Sequence, residues 1–183
     1  MRNLIFAVGL LLACPAAAQV PDTEQLVRRL MQVWASGDTS ALAEITTLDV
    51  VYDDVPNRYR FEGREGVKRY VTHVHAWAAE LTIEVKRVHA GQQVAVAEWV
   101  LRAVQARPIP GRVPVATGQR FELAGLTLIE LREGRIARAA DYLDVLGFVL
   151  ALGARVELPG GVVLPATAAP PGPAKPGEPS ASP

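Results

Sequence analysis

The stretch FELAGLTLIELREGRIARAADYL (residues 121–143) decides the fold class of this chain. Apolar side chains alternate along its first half, which is the period of a strand that packs one face on a core. Glu133–Gly134 is typical of a turn, and a second strand-like run follows it. The stretch therefore predicts an antiparallel hairpin of residues 122–131 and 136–143, closed by a short helix over residues 145–152.

Helices dominate the part of the chain that precedes this hairpin. Asp22 and Gln25 have the spacing of a capping box at the start of a helix, and Gly37 ends that helix. The apolar spacing further predicts helices over residues 39–46 and 63–79 and strands over residues 50–52, 59–61, 81–86 and 92–104. These elements predict an α+β fold, in which a cone-shaped, curved, mainly antiparallel sheet wraps around three helices of the N-terminal half.

The first residues of the chain predict export. Residues 1–18 combine a basic residue, a short apolar run and an Ala-x-Ala site, which together are typical of a signal peptide cleaved before Gln19. An alternative is a lipobox, in which Cys14 is lipidated and becomes the N-terminus; an uncleaved membrane anchor is the less favoured alternative. The expected location is therefore periplasmic or secreted, with membrane attachment only if Cys14 carries lipid.

The domain boundaries follow from changes in composition. Residues 19–155 are expected to form one domain. Residues 156–183 are rich in Pro and Ala and are expected to be disordered, because too little apolar surface remains to offset the entropy of ordering. Within this tail, residues 156–164 are apolar enough to pack as a last edge segment.

The balance of charges and the scarcity of cysteine and histidine argue against several classes of function. The chain carries 19 basic and 19 acidic residues without a long run of either sign, which argues against nucleic acid as a partner. Its single cysteine lies in the leader, so the mature domain has no disulfide or thiol nucleophile. His73 and His75 point to different sides of their predicted helix and His89 lies near a turn, so neither a metal site nor a cofactor is expected.

Four stretches of the chain resemble one known family. They are WASGDTSALAEI (34–45), VVYDDVP (50–56), FEGREGVKRYV (61–71) and LREGRIARAADYLDVLGFVLALG (131–153). Over residues 22–153 the chain resembles the SnoaL-like, polyketide cyclase-like branch of the nuclear transport factor 2-like superfamily, whose fold is a cystatin-like α+β barrel. The resemblance implies a pocket for a small hydrophobic ligand and a homodimer formed through the sheet face. It does not decide the activity, because one fold hosts many functions.

The chain departs from the cyclase pattern at two places. SnoaL-like cyclases often carry a carboxylate inside the strand that here reads LAGLTLIEL (123–131), and Thr127 stands at the matching position. The loop before it, LRAVQARPIP (101–110), lacks the histidine-rich segment often seen in cyclases. Both departures weaken the assignment as a cyclase.

Three polar residues are the candidates for acid–base chemistry. Asp141 follows two alanines that leave room for a cavity, and a carboxyl group buried beside aromatic rings has a raised pKa suited to proton transfer. Tyr52 and Asp54 share one face of the first strand, where such a pair could polarise a carbonyl group. The alternatives are a solvated strand end for Asp141 and a turn for Asp54. Asp144 is interpreted as the N-cap of the closing helix.

Aromatic residues on predicted inward faces are expected to line a pocket. The set is Trp34, Tyr70, Trp77, Trp99 and Phe121, with Thr127 beside them. Aromatic walls with few polar groups suit a planar apolar ligand, although ordinary core packing accounts equally well for any single ring.

Two functions follow as hypotheses. The first is an exported protein that binds a small hydrophobic ligand without catalysis. The second is a cofactor-independent isomerase, cyclase or hydrolase in which Asp141 is the general acid or base and Tyr52 or Asp54 assists. A structural role through the sheet face and the tail is a weaker third. The enzyme hypothesis requires the three polar side chains to converge on one cavity, and a sealed cone would exclude both ligand hypotheses.

Overall fold

The computed structural model describes residues 23–161 and 163–164. The expected leader with Cys14, the expected new N-terminus Gln19 and the expected capping residue Asp22 lie outside these residues, and so does the tail from residue 165 onward. Within the described part of the chain, no helix combines the length and apolar character needed to cross a bilayer.

Four helices and six main strands form the domain. The helices are α1 (Thr23–Ser36), α2 (Leu42–Ile45), α3 (Gly63–Trp77) and α4 (Val145–Ala151). The strands are β1 (Thr46–Asp54), β2 (Tyr59–Glu62), β3 (Ala78–Ala90), β4 (Val94–Gln105), β5 (Arg120–Arg132) and β6 (Arg135–Leu143). These strands form one mixed sheet in the order β2-β1-β6-β5-β4-β3. The α+β class with a curved, mainly antiparallel sheet is confirmed.

The hairpin that the sequence predicts lies at the centre of this sheet. β5 pairs antiparallel with β6 on one side and with β4 on the other. On its far side β6 pairs with β1, and this is the one parallel pairing of the sheet among the described strands. β1 and β6, the first and last of the six main strands along the chain, therefore lie side by side.

The core lies between the concave face of the sheet and the helices. Alternation along β4 buries Ala95, Ala97, Trp99 and Leu101, while the intervening residues are more exposed. In α1 the predicted apolar stripe is buried, because residues spaced by three and four fall on one face of a helix. Asp144 caps α4 as predicted, since its carboxylate accepts a hydrogen bond from Gly147 N at 2.8 Å.

Two segments differ from the sequence expectation. The helix predicted over residues 39–46 is a single turn, and the chain turns into β1 at Thr46, whose hydroxyl donates to the Leu42 carbonyl at 2.6 Å. Residues 156–157 and 163–164 pair with each other as a separate two-stranded ribbon and do not extend the main sheet. The edge strands of the main sheet are therefore β2 and β3.

Candidate functional site

A cavity of about 120 Å³ opens between the concave sheet face and the helices. Its lining includes the three polar candidates Asp141, Tyr52 and Asp54. It also includes every residue of the predicted aromatic set: Trp34, Tyr70, Trp77, Trp99 and Phe121, with Thr127. The nine residues singled out in the sequence therefore meet at one place, and the cone is not sealed.

A buried polar group of the pocket, here called the floor, consists of Asp141, Tyr52 and Thr127. The Tyr52 hydroxyl donates to Asp141 Oδ2 at 2.9 Å, and the Thr127 hydroxyl donates to Asp141 Oδ1 at 2.6 Å. Thr127 Oγ1 in turn accepts a hydrogen bond from Trp99 Nε1 at 2.8 Å. Tyr52 and Thr127 are almost fully buried, and Asp141 is 7% exposed. The floor is thus a hydrogen-bonded chain that ends on one carboxyl group.

Burial dominates the proton affinity of this carboxyl group. It raises the pKa of Asp141 to about 7, although hydrogen bonds from Thr127 and Tyr52 favour the ionised form; the charge of Asp54 adds to the increase. Burial and the neighbouring Asp141 also raise the pKa of the Tyr52 hydroxyl, so Tyr52 stays a proton donor at neutral pH. A carboxyl group with a pKa near 7 can both give and take a proton.

A second phenol–carboxylate pair lies beside the floor. Tyr70 donates its hydroxyl proton to Asp54 Oδ2 at 2.6 Å, and Asn57 Nδ2 donates to the same oxygen at 2.7 Å. Burial, followed by the charge of Asp54, raises the pKa of Tyr70. Asp53 lies on the opposite face of β1, where it pairs with Arg138 at 2.9 Å. Alternation along the strand therefore gives the pocket Tyr52 and Asp54, as the sequence predicts.

The walls of the pocket are two groups of aromatic rings. Trp34 packs on Tyr52 and Tyr70 with centroid distances of 5.3 and 5.0 Å. On the other side Phe121 packs against Trp77 at 5.9 Å and Phe148 at 4.8 Å. The indole N–H of Trp34 is buried and meets no hydrogen-bond acceptor in good geometry among the residues that the structure describes. Apart from that group, the walls offer a ligand mainly apolar contact.

Gly125 leaves room for the Trp99 ring, which contacts the floor through Thr127. The two residues face each other across β4 and β5, and a Cβ on Gly125 would lie 2.4 Å from the Trp99 ring. The absence of a side chain at Gly125 lets the indole lie flat on the sheet, in reach of Thr127. Gly125 has no predicted role in the sequence analysis.

Four more exposed residues, here called the mouth, surround the opening: Asn57, Tyr59, His73 and Arg112. Arg112 lies on the loop between β4 and β5. The buried amide of Gln105 holds both ends of this loop, since it donates to the carbonyls of Arg107 and Val115 and accepts from Thr117 N and Oγ1. At the loop tip Arg112 donates to Asn57 Oδ1.

The histidines are distributed as their helical spacing predicts. His73 is exposed at the mouth, whereas the His75 ring packs on Gly37 and its Nε2 lies 2.8 Å from the Trp34 carbonyl oxygen. His89 is exposed near the end of β3. Within residues 23–161 and 163–164, no three His, Cys, Asp or Glu side chains cluster as a metal site would need.

Sequence reasoning missed the residues that hold the polar groups in place. Tyr70 was identified only as a wall, yet it donates to Asp54. Asn57, Gln105 and Arg112 were not identified, because their hydrogen bonds depend on how the loops after β1 and β4 fold. The sequence offered no signal for them, because Gln105 follows directly after the strand predicted over residues 92–104 and Arg112 lies in a loop rich in Pro and Gly.

Comparisons with known proteins point to one family. A family model described as a SnoaL-like domain matches residues 27–139. No curated protein matches the chain significantly in sequence. Three solved structures of similar fold are TsrD from Streptomyces laurentii, IdmH from Streptomyces antibioticus, described as a candidate polyketide cyclase, and a protein with a ketosteroid isomerase-like fold from Catenulispora acidiphila in complex with trimethylamine.

The likeness to these structures covers between 71% and 75% of this chain. TsrD is 24% identical, with 72% of this chain and 94% of TsrD covered and a TM-score of 0.63. IdmH is 22% identical, with 75% of this chain and 100% of IdmH covered and a TM-score of 0.62. The Catenulispora protein is 21% identical, with 71% of this chain and 92% of that protein covered and a TM-score of 0.58. At these identities the similarity is one of fold.

Proposed function

The chain belongs to the SnoaL-like domain family, within the nuclear transport factor 2-like superfamily, and we propose that its pocket binds a small, largely apolar carbonyl compound and moves a proton on it. The observation that carries the proposal is the floor. There a buried carboxyl group with a pKa near 7 and a phenol lie 2.9 Å apart in an aromatic cavity. The reaction class is a cofactor-independent isomerisation or cyclisation.

The proposed chemistry assigns one role to each polar group. Ionised Asp141 takes a proton from the carbon next to the ligand carbonyl and returns it to another carbon. The Tyr52 hydroxyl redirects its hydrogen bond from Asp141 to the carbonyl oxygen, where negative charge develops as the proton leaves. Thr127 keeps the carboxyl group oriented through Oδ1. Asp54, already held by Tyr70 and Asn57, supplies a second negative charge that sustains the proton affinity of Asp141.

Exchange of α protons tests this proposal without knowledge of the natural substrate. Cyclohexanone, a single ring with one carbonyl group, is incubated with the protein in D₂O, and loss of its α-proton signals is followed by NMR. We expect Asp141→Asn to slow protein-dependent exchange by about 100-fold or more, the usual range for loss of a general base. Asp144→Asn is the matched control, since it changes the same residue type outside the pocket and Asn also caps helices well.

Each outcome separates the candidate functions. Exchange that depends on Asp141 but not on Asp144 supports the acid–base role. Unchanged exchange in Asp141→Asn excludes that role. Cyclohexanone that perturbs the protein spectrum but exchanges no faster than in buffer favours binding without catalysis.

Binding without catalysis is the second candidate. Both carboxyl oxygens of Asp141 already accept hydrogen bonds from within the protein, which is the arrangement of a satisfied buried group. Thr127, where the resemblance to cyclases implies a carboxylate, serves here as a donor to Asp141. In this case the floor would orient the ligand oxygen without exchanging protons with carbon.

Two broader features complete the proposal. We propose export, supported by the composition of residues 1–18, with either Gln19 or lipidated Cys14 as the mature N-terminus. We also propose a homodimer through the outer face of the sheet. Leu126 and Tyr142 are cross-strand partners on that face, and both are more than 40% exposed, so an apolar patch is available for association.

A further inference from the structure

We propose that the ligand of this pocket carries a carboxylate, and that Arg112 binds this carboxylate at the mouth. The inference rests on the proposed use of the pocket and adds the chemical class of the ligand. Arg112 is the one arginine or lysine among the described residues that line the cavity. A cation at the mouth of an otherwise apolar cavity is suited to an amphipathic acid, whose body is buried and whose charge stays at the surface.

Contacts with neighbouring residues orient the guanidinium. Its Nη1 donates to Asn57 Oδ1, and its Nε lies 3.4 Å from the Tyr59 hydroxyl. The guanidinium carbon also lies 4.9 Å from the centre of the Tyr59 ring, a distance typical of a cation–π contact. These contacts hold the side chain at the mouth before any ligand arrives, which lowers the entropy lost on binding.

Donor groups of Arg112 remain available. Among the described residues no carboxylate forms an ion pair with Arg112, and its Nη2 group has no hydrogen-bond partner. A guanidinium has five N–H donors in a planar fork that matches the two oxygens of a carboxylate. The two contacts that position Arg112 use Nε and Nη1, so Nη2 and the second proton of Nη1 can serve a ligand.

The nearest buried carboxylate does not compete for this cation. Asp54 accepts hydrogen bonds from Tyr70 and Asn57, and the Asn57 amide lies between it and Arg112. Asp54 is also 2% exposed, so a ligand at the mouth meets the guanidinium before that carboxylate. His73, also exposed at the mouth, adds a second group able to donate to an anion.

The size of the cavity limits the apolar part of the acid. Its volume of about 120 Å³ is close to the roughly 150 Å³ of an engineered protein cavity that holds benzene. The ligand class is therefore a carboxylic acid with one ring, or an acid of similar bulk.

Benzoate and benzamide test the inference as a matched pair, because they share size and shape and differ in charge. Their dissociation constants are measured by ligand-detected NMR titration of the full chain. We expect benzoate to bind about tenfold more tightly than benzamide, as one charge-assisted contact at a partly exposed site implies. Arg112→Gln should remove this preference, because it weakens the binding of benzoate far more than that of the uncharged benzamide. Arg107→Gln is the control, because Arg107 lies on the same loop but does not line the cavity.

Each result supports or overturns a defined statement. Equal binding of both probes to the unmodified protein overturns the carboxylate inference and leaves the pocket as a ligand site. A preference for benzoate that survives Arg112→Gln shows that another group binds the anion. Failure of both probes to bind overturns the proposed function together with the inference. Arg112→Lys, which keeps the charge but not the planar fork, should retain part of the preference, and this guards against loss through misfolding of the loop.

Discussion

The buried carboxyl group of Asp141 predicts an unusual dependence of stability on pH. A pKa of about 7 in the folded protein, against 3.8 when exposed, means that the folded state retains a proton that the unfolded chain loses. Below pH 3.8 both states are protonated, so the group contributes no difference. As pH rises from about 4 to 7 the folded state loses stability, and above pH 7 the loss is complete. At about 1.4 kcal/mol per pH unit, the loss is roughly 4 kcal/mol.

Urea unfolding from pH 4 to pH 8, followed by tryptophan fluorescence, measures this effect. Other shifted groups, such as the exposed Asp49 and Glu84, contribute equally to the unmodified protein and to Asp141→Asn, so the difference between the two curves isolates Asp141. We expect Asp141→Asn to gain roughly 4 kcal/mol relative to the unmodified protein between pH 4 and pH 8. Asp144→Asn should follow the unmodified protein. Parallel curves for Asp141→Asn and the unmodified protein would refute the reasoning, because the hydrogen bonds from Tyr52 and Thr127 would then cancel the effect of burial on the pKa.

Three further predictions concern other parts of the chain. Gly125→Ala should displace the Trp99 ring, lower the free energy of unfolding by about 1–3 kcal/mol and change tryptophan emission in the folded state; unchanged emission would mean that the sheet accommodates the methyl group. Leu126→Asp on the outer sheet face should convert a dimer into a monomer in sedimentation velocity, whereas a monomeric unmodified protein would exclude the proposed interface. Intact mass spectrometry of protein recovered from the envelope of its own host should give a chain that starts at Gln19 or at lipidated Cys14, and a retained Met1 would contradict export.

Local sequence patterns predict most of the fold. The alternation in residues 121–131 corresponds to β5, and the turn at Glu133–Gly134 joins it to β6. Asp144 is recognisable as a cap because an Asp stands directly before an apolar helical run. Each of these features depends on residues that are close together in the sequence. A single sequence therefore contains enough information to predict them. The second helix is less predictable, because a single turn has little periodicity of its own.

Long-range contacts account for what the sequence did not reveal. The hydrogen bond between Tyr52 and Asp141 joins residues 89 positions apart, and the Arg112–Asn57 contact joins residues 55 positions apart. The role of Gln105 depends on how the β4–β5 loop folds back, which its composition does not specify. In such cases the residue type suggests a donor or an acceptor, but the partner becomes known only when the strands are placed.

The floor and the mouth are built from different parts of the fold, so substitutions at one need not change the geometry of the other. Trp99, Thr127, Asp141 and Tyr52 lie on β4, β5, β6 and β1, four adjacent strands of the sheet. Their hydrogen bonds run across the strands, so the spacing of the sheet, about 4.8 Å between neighbours, fixes the geometry of the floor. At the mouth, in contrast, Asn57 and Arg112 come from two different loops. Their contact joins side chains that are less buried than those of the floor. Substitution in these loops can therefore change the shape and charge of the opening while the hydrogen-bonded geometry of the floor is preserved.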